Sequence, residues 1–231
     1  MNGVVTISAS FGASGNVIGP AVAETLGIPF FDRAISATVA ERLSVPIEDV
    51  HDEKAPSARN RLARVFTYVL GHNVSDGILD YAAIPTGPQS ADERFDDPDR
   101  FRLATERILY EIADTTGGVV LGRAGMLVLH DRPDVLRVRL DGPLEERIAH
   151  VVRTENMTEK RARAMQRDID GAREAYVQAF YQAHQSDPAR YQVILEATSL
   201  GVDVCTAAIV AIARRQLAPW LPSPGAGAAV E

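Results

Sequence analysis

The sequence predicts an α/β protein in which a parallel sheet lies between helices. Three short apolar runs indicate buried strands at Val4–Ser8, Val119–Leu121 and Val135–Leu140, and a fourth run follows at Tyr191–Leu195. Helical stretches separate these runs, and such alternation is typical of βαβ units. The expected fold is therefore a doubly wound parallel sheet.

Further patterns fill in the first half of this sheet. Residues Phe30–Asp32 could supply a fifth strand. The first helix is expected to start near Asn16 and to end near Gly27. A later helix is expected over Arg102–Ala113, and its predicted buried face carries Leu103, Ile108 and Ile112.

We predict one domain over residues 1–217 and a disordered tail over residues 218–231, because that tail is rich in proline, glycine and alanine. Residues of about 36–100 form an irregular insert, and its polar, proline-broken end at 83–100 predicts a mobile loop. Residues of about 143–185 are helical and heavily charged, and we interpret most of these charges as solvated ion pairs.

Composition narrows the class of protein. Of 231 residues, 24 are Lys or Arg and 31 are Asp or Glu, so the formal charge of −7 argues against a general nucleic-acid-binding surface. The one cysteine, Cys205, rules out an internal disulfide and is expected in the core. No run of about 18 apolar residues predicts a membrane span, and no secretory signal is visible, so we expect a cytoplasmic protein. The five histidines lack metal-binding spacing, and no metal site is predicted from the residues.

The most informative segment joins the first strand to the first helix. It reads Phe11-Gly12-Ala13-Ser14-Gly15-Asn16-Val17, a turn of small residues that opens a helix. This layout aims backbone N–H groups and a helix N-terminus at an anion. The loop lacks the Lys followed by Ser or Thr that a phosphate loop usually carries. An ordinary strand-to-helix turn is the alternative, but the position after the first strand of an alternating chain favours a ligand.

Two groups of charged residues could complete a phosphate site. Arg123 lies close to two glycines at the carboxyl end of a predicted strand, on the ligand side of such a sheet. A predicted helix carries Arg167, Asp170, Arg173 and Tyr176 at a spacing of three, so that they share one stripe. Carboxylates that hold arginines in place would let each guanidinium grip phosphate oxygens. Structural salt bridges are the alternative for both groups.

Taken together, these segments resemble the cytidylate kinase-like family, a branch of the P-loop nucleoside monophosphate kinases. The resemblance spans about Val4 to Arg215 and rests on the order and spacing of the loop, Phe31-Asp32, Leu121-Gly122-Arg123 and Asp170-x-x-Arg173-x-x-Tyr176. It implies a three-layer α/β/α, P-loop NTPase-like core with a nucleotide-binding insert at about 36–100 and an arginine-bearing helical lid at about 143–185. The implied reaction is phosphoryl transfer from ATP, with Mg²⁺, to a pyrimidine nucleoside monophosphate.

The resemblance also implies roles for individual residues. Gly12–Val17 would bind the nucleotide phosphates, and Asp32 would border the pocket of the phosphate acceptor. Arg123 would approach the acceptor phosphate, as would Arg102. The lid residues at the phosphates would be Arg167, Asp170 and Arg173. The implied partner is a small-molecule nucleotide, with no nucleic acid and no membrane, and no oligomeric state is predicted.

The loop departs from the family pattern. Related members typically carry arginines where this chain has Ala9 and Asn16, and cytidylate kinases carry a lysine at Gly15 and a magnesium-binding hydroxyl near Val17. They also carry a base-contacting aspartate where this chain has Ala124. Two hypotheses follow. One is a kinase whose lid arginines supply the missing charge, and the other is a pseudo-kinase, a regulatory or interaction module with little or no turnover.

Overall fold

The computed structural model describes residues 2–32 and 98–222, which build a parallel sheet with helices on both faces. The strands are β1 (Val4–Ala9), β2 (Phe30–Phe31), β3 (Gly118–Leu121), β4 (Val135–Asp141) and β5 (Val193–Glu196). Their order across the sheet is β2-β3-β1-β4-β5, and every pairing is parallel. The predicted α/β class and doubly wound parallel sheet are confirmed.

The helices of the described residues alternate with these strands. They are α1 (Gly15–Leu26), α2 (Pro98–Asp114), α3 (Gly125–Val128), α4 (Leu144–Thr154), α5 (Glu159–Tyr181) and α6 (Ala197–Gln216), with a 3-10 turn at Pro188–Arg190. The long helix α5 crosses the carboxyl end of the sheet, because small cores fix it at two points. One core joins α5 to α4 through Ala162 and Ile148, and the other joins it to α3 through Tyr176 and Leu127.

The strand side chains alternate between two cores, as the period of an extended chain requires. On one face Val5, Ile7 and the even-numbered apolar residues of β4 pack against α1 and α6. On the other face Val4, Val120 and Val135 pack against α2. Because both faces are covered, the strands read as nearly continuous apolar runs.

Helix α6 is the one described helix that is long and apolar enough to cross a membrane, a test that is weak evidence by itself. Its side chains Cys205, Ile209 and Ala213 are fully buried in the core that it shares with α1. Core packing therefore accounts for its apolar face. The predicted burial of Cys205 is confirmed, and burial raises the pKa of its thiol.

Several predicted boundaries differ from the structure. Helix α2 begins at Pro98, inside the loop predicted for residues 83–100, because proline is well suited to a first helical turn. Leu103, predicted on the buried face of α2, is 55% exposed. The tail predicted to be disordered from residue 218 is ordered through residue 222, since Trp220 and Leu221 pack against the main core. The rest of the predicted insert, to residue 97, and the tail beyond residue 222 lie outside the described residues.

Candidate functional site

The loop between β1 and α1 exposes a group of backbone N–H donors. Gly12 and Ser14 take positive φ values of 80° and 56°, which turns the chain back over the end of β1. Within the described part of the chain, four consecutive or nearly consecutive N–H groups find no protein acceptor, those of Gly12, Ser14, Gly15 and Asn16. Two of these N–H groups open helix α1, where the helix dipole favours an anion.

Two other residues of the predicted phosphate-binding loop have N–H groups that already donate to protein carbonyls. The N–H of Ala13 donates to the carbonyl of Ser10 at 3.0 Å, and the N–H of Val17 donates to the carbonyl of Ser14 at 3.0 Å. The Val17 side chain is half exposed. The structure therefore offers the backbone donors of Gly12, Ser14, Gly15 and Asn16 to an anion, and not those of Ala13 and Val17.

The loop is closed so tightly that a side chain at Gly15 would not fit. A Cβ atom at Gly15 would lie 2.5 Å from the Cβ of Ala9 and 3.3 Å from a methyl group of Leu121. A Cβ atom at Gly12 would lie 2.5 Å from the carbonyl oxygen of Arg147. In this conformation, neither position 12 nor position 15 accommodates a side chain without a shift of its neighbours.

Arg147, on α4, joins the loop to the long helix α5. Its Nη1 donates to the carbonyl of Phe11 at 2.7 Å and lies 3.0 Å from Oδ2 of Asp170, while its Nε donates to the carbonyl of Gly142 at 2.9 Å. The other carboxylate oxygen of Asp170 accepts the N–H of Phe11 at 2.8 Å. Arg147 is only 8% exposed, so this is a buried and well-partnered ion pair.

Arg139, on β4, lies beside the first residue of the loop. Its Nη2 donates to the hydroxyl of Ser10 at 2.8 Å and to Asp141 at 2.9 Å, and its guanidinium stacks 5.9 Å from the ring centre of Tyr191. Its Nη1 is buried and has no partner. Burial raises the pKa of Asp141, but Arg139 and the N–H of Gly142 outweigh it, so the pKa is lowered overall.

The predicted stripe on α5 is partly assembled. Arg173 donates to the carbonyl of Ala9 at 2.7 Å and lies 3.8 Å from Asp170, so both residues meet the start of the phosphate loop. Asp170 holds the loop and Arg147 and does not point to open space. Arg167 is exposed, whereas the described side-chain partners of Asp170 are Arg147, Gln166 and Arg173. The structure therefore does not bring Arg167 together with Asp170 and Arg173.

A second group of residues meets at the ends of β2 and β3. Gly122, Arg123 and Ala124 all have positive φ values, which turns the chain sharply after β3. Burial lowers the pKa of Arg123, and the carboxylate of Asp32 counters this effect, while Tyr176 and Arg173 are also close enough to influence it. Arg102 forms an ion pair with Glu106 at 2.8 Å on α2.

Sequence reasoning missed Arg139, Arg147 and His150. Nε2 of His150 lies 3.0 Å from the hydroxyl of Ser14, at the start of α1. Arg147 lies in the charged helical segment whose charges we interpreted mostly as solvated ion pairs. Its burial on α4 together with Ile148 and Val151 could be recognised only from the tertiary fold. Arg139 interrupts an apolar strand, and that interruption was the available signal, since a cation within such a run needs a partner.

These residues fit the phosphates of a nucleotide. Arg173 contacts the start of the loop that carries the free N–H donors. Arg123 lies close to Asp32 at the ends of the neighbouring strands. Among residues 2–32 and 98–222, no group of three or more His, Cys, Asp or Glu side chains could hold a metal ion. Mg²⁺ commonly reaches such sites bound to the phosphates and to water, with one or two protein ligands.

The comparisons with known proteins identify the family. The model of the cytidylate kinase-like family matches residues 4–199. No curated protein matches the sequence. Membership of this kinase-like family supports nucleotide binding and phosphoryl transfer as the general function.

One of two similar solved structures supports the fold. An uncharacterised protein from Eubacterium ventriosum is 16% identical, with a TM-score of 0.60 over 91% of this chain and 98% of that chain. A shikimate kinase from Bacteroides thetaiotaomicron is 16% identical, with a TM-score of 0.48 over 94% of this chain and 99% of that chain. The fold assignment depends on the first of these.

The contact between Ala9 and Gly15 predicts a rescue experiment. Gly15→Ala should lower the free energy of unfolding by about 1–3 kcal/mol, because the new methyl group meets Ala9 in a packed loop. Ala9→Gly in the same chain should recover part of that loss. Urea denaturation of the two single variants and the double variant measures the coupling. If the change in the free energy of unfolding of the double variant equals the sum of the changes of the two single variants, the two positions do not interact.

The lowered pKa of Asp141 predicts a pH-dependent contribution to stability. The carboxylate stabilises the fold above the unfolded pKa of about 4, and this stabilisation is lost as the pH falls through the lower, folded pKa. Asp141→Asn should therefore be less stable than the wild type at pH 7, with the difference shrinking at pH 3 and below. Chemical denaturation at several pH values tests this, with the exposed Asp168→Asn as control. A constant difference from pH 7 to pH 2 would contradict it.

Proposed function

This chain belongs to the cytidylate kinase-like family, and from that premise we propose that it transfers a phosphoryl group from ATP to a nucleoside monophosphate. The observation that carries the proposal is the meeting of free loop N–H groups with Arg173 at the end of β1, next to Arg123 and Asp32 at the ends of the neighbouring strands. Two anion-binding positions side by side are what a donor and an acceptor phosphate require.

In the proposed reaction the protein mainly positions the reactants and neutralises charge. The N–H groups of Gly12, Ser14, Gly15 and Asn16 bind the donor phosphates, and Arg173 leaves the carbonyl of Ala9 to meet the transferred group. Arg123 binds the phosphate of the acceptor. Mg²⁺, when bound with ATP, would neutralise part of the phosphate charge.

We propose a pyrimidine acceptor because the family is named for cytidylate kinases. Ala124 cannot make the base contact of an aspartate, so the chain is not tuned to cytosine at that position. CMP and UMP are therefore both expected as acceptors, and discrimination between them is expected to be weak.

A pseudo-kinase is the second candidate, and one observation favours it. The close contact between Ala9 and Gly15 leaves no room for a loop lysine, and the loss of a phosphate-contacting cation costs about 2–4 kcal/mol of transition-state stabilisation. Under this alternative the chain binds nucleotide and acts as a regulatory or interaction module with little or no turnover.

The test compares two arginines of α5. Arg173→Ala should lower kcat/KM by about two to three decades, because the guanidinium that would meet the transferred phosphoryl group is lost. Arg163→Ala is the matched control, since Arg163 lies on the same helix but pairs with Glu145 and Glu159 away from the loop. ADP release with CMP, UMP, dCMP and AMP as acceptors is the measurement.

Two results would decide between the candidates. No turnover with any acceptor, in a wild-type protein that is folded and binds ATP, would exclude the kinase and leave the pseudo-kinase. Equal activity of the two variants would mean that Arg173 has no part in the reaction.

A further inference from the structure

The described tyrosines fall into two groups. The hydroxyl of Tyr110 donates to the carbonyl of Val128 at 3.0 Å, and the hydroxyl of Tyr191 donates to the carbonyl of Gln185 at 2.7 Å. The hydroxyls of Tyr176 and Tyr181 are buried and have no hydrogen-bond partner. The unpartnered pair therefore lies on one segment, the end of α5, where it packs over the end of β3.

Tyr176 is the more deeply placed of the two. It is 7% exposed, its ring meets Phe180 at a centroid distance of 4.9 Å and Tyr181 at 6.1 Å, and its apolar edge packs with Ala124 and Leu127. A buried hydroxyl without a partner costs about 1–3 kcal/mol and needs an explanation. Apolar packing explains the ring but not the oxygen.

Several polar and charged groups act on this hydroxyl. Burial raises the pKa of Tyr176, the neighbouring hydroxyl of Tyr181 and the guanidinium of Arg123 lower it, and Glu106 and Arg102 contribute less. The phenol is therefore protonated at neutral pH and can donate a hydrogen bond. Tyr176 also stands one turn from Arg173 on the same helix, so the two side chains share a face that looks toward the ends of the strands.

We propose that the hydroxyl of Tyr176 donates a hydrogen bond to the phosphate of the acceptor nucleotide, beside the guanidinium of Arg123. This inference rests on the proposed function and assigns a specificity-determining residue to it. Tyr176 selects a phosphomonoester over a nucleoside, because the hydroxyl is left without a partner when the phosphate is missing. The hydroxyl is buried in this arrangement, so α5 has to shift, as a lid does, when the acceptor enters.

The test is Tyr176→Phe, which removes one oxygen atom and keeps the ring. Binding of CMP and of cytidine is measured by calorimetry in the presence of a non-hydrolysable ATP analogue. The affinity for CMP should fall about tenfold or more, since a hydrogen bond to a charged group is lost, while the affinity for cytidine should not change. The melting temperature should stay the same or rise, because the variant removes an unsatisfied buried group.

Tyr110→Phe is the matched control, since it removes a hydroxyl that already has a backbone partner outside this region. It should lower the melting temperature slightly and leave CMP binding unchanged. Unchanged CMP binding in Tyr176→Phe, with the ATP analogue still bound, would overturn the inference and leave the proposed function standing. A lower melting temperature of Tyr176→Phe with unchanged CMP binding would assign the hydroxyl a structural role and also overturn it. A wild-type protein that binds neither the ATP analogue nor CMP would overturn both proposals.

Discussion

The arrangement of this end of the sheet depends on one buried guanidinium. Arg147 spans from the carbonyl of Gly142, at the end of β4, to the carbonyl of Phe11 in the loop and to the carboxylate of Asp170 on α5. Three elements that are far apart in sequence therefore share one charged centre. Arg147 also lies 3.6 Å from Asp141, and Asp170 lies 3.8 Å from Arg173, so removal of either partner would weaken this centre without leaving the other charge isolated. Arg147 therefore positions helix α5 and the loop between β1 and α1 relative to each other.

The tight closure of the loop decides where positive charge can come from. Because Ala9 and Gly15 are in contact, a lysine at position 15 is excluded, and the loop itself contributes only backbone dipoles. The cations that contact the start of the loop stand outside it, Arg173 on α5 at the carbonyl of Ala9 and Arg139 on β4 at the hydroxyl of Ser10. Arg139 is fixed in the sheet, whereas Arg173 stands on α5, so under the proposed function a movement of α5 would change the position of Arg173 at the phosphates.

Much of the fold could be predicted from sequence because both faces of the sheet are buried, which leaves apolar runs that are easy to recognise in β1, β3 and β4. The loop and Arg123 could be located for the same reason, since each follows directly after a buried strand. The role of Arg147 could not be predicted, because its partners Phe11 and Asp170 are brought together only by the packing of α4 and α5.

The exposed position of Arg167 has a similar origin. A spacing of three residues places side chains on the same stripe of a helix, but small rotations decide which members of the stripe reach the neighbouring element. Asp170 and Arg173 contact the loop, and Arg167, one turn earlier, points to solvent. Likewise, the prolines and glycines of the tail predicted disorder from residue 218, but Trp220 packs against the core.

The central claim is that the backbone donors of the loop bind the phosphates of a nucleotide. Amide NMR of the labelled protein, with ATP and Mg²⁺ added stepwise, tests it most directly. We expect the largest shifts at the N–H groups of Gly12, Ser14, Gly15 and Asn16, because each gains a charged acceptor that it lacks in the protein alone. Unchanged amide signals at these four residues, under saturating ATP, would contradict the account.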